Sequence, residues 1–151
     1  MPFLQSEHLG QIEYDPADVI HFPQGLPAFE GEREFLALDV PGKAPLVFLQ
    51  SVSSPGLTFI TLPPACIDPG YRLELPEDTP FLDAPLTVLV IVSIGRQGEV
   101  TANLLAPVVI DKNTRNAMQV VMAGSNYPVQ HPLSSAPGAP PAPGRSAPAC
   151  S

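Results

Sequence analysis

Apolar residues recur along this chain in short bursts bounded by proline, glycine, aspartate or asparagine, a spacing that predicts strands and loops rather than helices. The bursts are Phe3 to Ser6, Gln11 to Tyr14, Val19 to Phe22, Glu34 to Leu38, Leu46 to Val52, Thr58 to Leu62, Tyr71 to Leu75, Leu86 to Ile94, Ala102 to Ile110 and Ala117 to Met122. Gln11-Ile12-Glu13-Tyr14 and Arg72-Leu73-Glu74-Leu75 alternate polar with apolar, as a strand with one wet face does. Leu86 to Ile94 does not alternate, which predicts a central strand covered on both faces. Gly95-Arg96-Gln97-Gly98 separates it from Ala102 to Ile110 and can turn the chain back, so these two runs are expected to form a hairpin in the core. The expected fold is all-β: a single-domain antiparallel β-barrel or sandwich of short strands with little helix.

Length and composition sharpen this expectation. At 151 residues and 44% hydrophobic, the chain can bury one core and has no room for two. Its 21 prolines leave little space for helices. Pro76 to Pro85 alone holds three prolines in ten residues, so no regular helix beyond one turn is expected there. Residues 134–151 contain five prolines, five alanines, four serines and two glycines, with Arg145 as their one charge. Such a segment cannot bury a core and is expected to be a disordered tail following a β domain of residues 1–133.

Charge narrows the partners. Residues 1–83 carry 13 of the 15 acids and three of the seven bases, a net of −10 against +2 for the remainder and −8 for the whole chain. This acidity repels phosphate backbones, and no cluster of basic residues offers a local exception, so no direct nucleic-acid binding is expected. It favours a basic protein partner, with solubility as the plainer explanation. The start, Met-Pro-Phe-Leu-Gln-Ser-Glu-His, lacks the basic and apolar regions of a signal peptide, and no apolar run approaches a membrane span, which places the expected protein in the cytoplasm. Cys66 and Cys150 are expected there as free thiols.

Catalytic chemistry finds no motif. His8, His21 and His131 are far apart, no metal-ligand spacing occurs, and Ser51, Ser53, Ser54 and Ser125 lack a nucleophile elbow. His21 reads as a strand-end histidine making one hydrogen bond. Phosphate-cradling glycine loops are absent too, so neither an enzyme nor a cofactor is expected.

The most informative stretches are His21-Phe22-Pro23-Gln24-Gly25-Leu26-Pro27-Ala28-Phe29-Glu30 and Thr101-Ala102-Asn103-Leu104-Leu105-Ala106-Pro107-Val108-Val109-Ile110-Asp111. In the first, Pro23 and Pro27 fix φ, Gly25 permits positive φ, and Phe22, Leu26 and Phe29 supply apolar anchors. With Leu49-Gln50-Ser51-Val52, Gln119-Val120-Val121 and Tyr127 followed by His131-Pro132-Leu133, these segments resemble the bacterial flagellar assembly factor FliW family over about residues 1 to 133. Many members carry an acidic helix before the central strand, where this chain has Pro76 to Pro85. The resemblance implies a non-enzymatic regulator that holds flagellin in the cytoplasm and, once flagellin is exported, binds and antagonises the translational repressor CsrA. Candidate partner-binding residues are Phe22, Gln24, Leu26, Phe29, Glu30, Asn103 and Leu104. For Asn103, a structural amide bridging to a neighbouring strand or turn is an equal reading. The rival classes are a small-molecule-binding β-barrel and a member that keeps one of the two partners.

Overall fold

The computed structural model describes residues 2–80 and 84–134. Eleven strands make up nearly all of its regular structure. β1 (Phe3–Ser6) and β2 (Gly10–Glu13) form a separate hairpin. The main sheet runs in the order β10 (Ala117–Gln119), β9 (Val108–Asp111), β7 (Leu86–Ile94), β6 (Thr58–Leu62), β5 (Val47–Ser51), β4 (Glu34–Asp39) and β3 (Ile20–His21). β8 (Val100–Ala102) pairs with the far half of β7 and with β11 (His131–Ser134). All these pairings are antiparallel. The two ends of the path approach through a lone parallel bridge, His21 to Asn116. The sheets do not close into a barrel, so of the two expected architectures the sandwich describes the molecule.

The expected central hairpin forms, and β7 is covered on both faces. Leu89 packs with Ile20, Phe22, Leu26, Phe35 and Leu49 in one core, while its neighbour Val90 packs with Leu62, Ala102 and Leu104 in a second. Successive strand residues point to opposite faces, so the middle of β7, Val88 to Val92, is apolar at every step and does not alternate. A third cluster, Leu4, Val19 and Leu36, seats the N-terminal hairpin. The buried side chain of Gln50 locks that seat by accepting from the Ser6 hydroxyl at 2.7 Å and donating to the Ser51 carbonyl at 3.0 Å.

Four expectations need correction. Ala102 to Ile110 is not one strand: Val92 pairs with Ala102 and Leu89 with Val108, so three steps along β7 face six along its partner. The surplus bulges out as Asn103 to Pro107. Pro107 has no N–H to give to the ladder, and Asn103 Oδ1 takes the Ala106 N–H at 3.0 Å. Tyr71 to Leu75 joins no ladder and is pinned through side chains: the Tyr71 hydroxyl donates to the Leu104 carbonyl and the Arg72 N–H to the Tyr127 hydroxyl, both at 2.8 Å. β11 lies where a His-Pro pair gave no strand signal, and it includes Ser134, the first residue assigned to the tail. Cys66 is disulfide-bonded rather than free; Cys150 and the rest of the tail lie outside the described residues. Pro76 to Pro85 contains no helix among its described residues.

Candidate protein-binding site

The segment from Phe22 to Arg33 leaves β3 and returns to β4 as a loop closed on itself. The Gly25 N–H donates to the Phe22 carbonyl at 2.8 Å, Phe29 to Leu26 at 2.7 Å and Glu32 to Phe29 at 2.9 Å. Gly25 has φ of +67°, and a Cβ there would lie 2.5 Å from the Glu30 Cα, so the loop closes only around glycine. Glu30 Oε2 accepts the Ala28 N–H at 3.1 Å, at a residue whose own φ is +71°.

Glu32 fastens this loop to the sheet. Its carboxylate accepts from the hydroxyls of Ser51 at 2.6 Å, Ser54 at 2.8 Å and Ser53 at 3.0 Å. These bonds, Ser51 first, hold the Glu32 carboxyl below its ordinary value against the opposing effect of burial. Sequence reading missed this clamp. Its one visible trace is the serine-rich turn after Gln50, and nothing in sequence pairs that turn with an acid 19 residues earlier.

The candidate residues divide sharply. Phe22 is 0%, Leu26 2% and Leu104 1% exposed, so these side chains belong to the cores and offer no surface to a partner. Phe22 meets Phe35 edge to face at 5.3 Å. Asn103 is half-buried and spends its carbonyl oxygen on the bulge. Gln24, Phe29 and Glu30 are exposed together on the loop. Phe29 is 40% exposed and stands on Phe59 at 5.4 Å between ring centroids. The two motif segments share one core, where Phe22 and Leu26 meet Val108 and Ile110, while Ala102 and Leu104 serve the other.

Around the loop lie three open clefts. One of about 320 Å³ is lined by His21, Pro23, Arg33, Glu34 and Ser53 among others. A second, about 200 Å³, runs between Gln24, Pro27 and Glu30 on one side and Met118 and Gln119 on the other. A third, about 180 Å³, joins Pro23 and Gln24 to Pro80 and Met118. His21 faces Glu34 at 3.7 Å, an ion pair when the ring is protonated. Among the described residues no group of three His, Cys, Asp or Glu could hold a metal, and no helix is long and apolar enough to cross a membrane.

The family model described as FliW protein matches residues 3–133. The chain belongs to the FliW family. Similar members include the flagellar assembly factor FliW of Moorella thermoacetica, 34% identical over 137 residues, covering 86% of this chain and 87% of that protein. That of Bacillus subtilis is 33% identical over 136 residues, covering 86% and 95%. A crystal structure of the flagellar assembly factor FliW superposes with a TM-score of 0.81 at 30% identity, covering 89% of this chain and 98% of the other. Family membership makes this chain a flagellar assembly factor, and the Gly25-centred loop is the family segment with the most exposed candidate side chains.

Proposed function

We propose that this FliW family member is a non-enzymatic cytoplasmic regulator that binds flagellin and, when free of it, binds and antagonises the translational repressor CsrA, so that repression of flagellin synthesis is relieved. The observation that carries this reading is the internally hydrogen-bonded loop from Phe22 to Arg33, which presents an exposed aromatic ring beside the exposed carboxylate of Glu30 on a chain of net charge −8. An aromatic anchor supplies affinity, and acidic surroundings steer a basic partner toward it. The partner-binding residues are Gln24, Phe29 and Glu30, exposed on the loop; Phe22 and Leu26 shape this surface from within, while Leu104 belongs to the second core.

Isothermal titration of the full chain with flagellin and, separately, with CsrA from the same organism tests the reading at low and high salt. Binding to each, with the CsrA affinity falling as salt rises, supports it. Binding to one partner alone leaves a member with a single role, and binding to neither sinks the proposal.

A further inference from the structure

The free ends of the strand path are protected unequally. β3 is two residues long and is bridged by His21 to Asn116. β11 carries Pro132 and a register shift between Pro132 and Ser134. Short length, proline and irregular register all keep a sheet edge from recruiting another strand. β10 is itself three residues long, yet its pairing continues in register to Met122 without proline. Ala117-Met118-Gln119-Val120-Val121-Met122 contains no charge and no proline, and among the described residues β10 pairs in a ladder with β9 alone.

Hydrogen bonding shows which main-chain groups face out. The Val120 N–H donates to the Pro107 carbonyl at 2.9 Å and the Met122 N–H to the Leu105 carbonyl at 2.8 Å, while the Asn116 carbonyl accepts from Asp111. Even-numbered residues turn inward, so strand alternation turns the N–H and C=O of Gln119 and Val121 outward. Val121 is 56% exposed. Alongside them runs the cleft of about 200 Å³ between Met118 and the loop, with Glu30 on its far wall.

We propose that this edge accepts an added strand from a partner polypeptide: an extended segment, apolar at alternate positions and bearing a basic side chain, pairs main chain to main chain with Gln119 and Val121 and sets its cation against Glu30. Edge pairing supplies affinity without sequence demands, and the cleft selects the side chains. Net charge decides between occupants. A second copy of this chain brings −8 against −8, whereas a basic segment is attracted. The inference rests on the reading above only for the identity of the natural partner.

The test uses the full chain and a synthetic peptide of alternating lysine and valine, with amide exchange followed by NMR at low salt. Exchange at Gln119 and Val121 should slow by about tenfold or more on adding peptide. Val121→Pro, which removes an outward N–H and no ladder bond, should abolish that protection with the fold kept. Should that variant fail to fold, Val121→Lys, which sets a like charge against the peptide, should weaken it instead. Protection elsewhere or nowhere overturns the proposal, as does protection without peptide that grows with protein concentration, which would assign the edge to a second copy. Flagellin that binds while Gln119 and Val121 stay unprotected removes flagellin as the occupant of the edge but leaves the flagellin reading intact. Flagellin that fails to bind removes that reading, and the peptide result still decides the edge.

Discussion

The Glu32 carboxylate accepts a 2.6 Å hydrogen bond from the buried Ser51 hydroxyl, and this contact ties the loop bearing Phe29 to the end of β5. Because three hydroxyls converge on it, the carboxyl is held below its ordinary value of 4.5. A group whose folded value is depressed stabilises the fold fully above its unfolded value and loses that contribution as pH falls through the folded one. Glu32→Gln should therefore lower the unfolding temperature relative to the parent by a constant amount above about pH 5, with the gap narrowing at more acid pH. Thermal melts from neutral to about pH 3 check this, and a gap that persists undiminished at the acid end counts against the clamp.

Phe22 and Phe29 belong to one motif but should respond differently. Phe22→Ala removes a fully buried ring and should cost about 3–5 kcal/mol. Phe29→Ala, at a ring 40% exposed, should cost about 1 kcal/mol in urea unfolding while weakening partner binding by about tenfold or more. Unchanged partner affinity in Phe29→Ala would remove the ring from the binding surface.

Gly25→Ala meets two obstacles, the positive φ and the Glu30 backbone 2.5 Å from the new Cβ. A loss of about 2 kcal/mol or more is expected from denaturant titration. The same substitution at Gly10, also at positive φ but with nothing within 4 Å, should cost only about 1 kcal/mol.

Asn103→Ala removes the acceptor that satisfies the Ala106 N–H, and a loss of about 1–2 kcal/mol in stability is expected. Affinity for either partner should not change once the variant is folded. A selective loss of binding would return Asn103 to the interaction surface.

Legibility tracked how local the cause was. The strand boundaries of Phe3–Ser6, Thr58–Leu62 and Leu86–Ile94 agree with sequence expectation because composition and bounding turns act within a few residues. Tyr71 to Leu75 alternates like a strand yet finds no ladder: its Arg72 and Glu74 N–H groups are taken by the side chains of Tyr127 and Met122, 55 and 48 residues away. The motif around Gly25 announced a tight loop. Which of its aromatics faced the core depended on Phe35 and Phe59, strand residues that lie outside it. The Glu32 clamp and the bare β10 edge are likewise products of long-range pairing, which sequence spacing does not encode.

Leu89 and Val90, adjacent in β7, each belong to a different core. Opening either core to the solvent pulls on the same strand and so exposes the other, which makes the sandwich one thermodynamic unit. Any occupant of the loop or of the β10 edge would then meet a standing exterior, with the interior shut while it arrives and leaves.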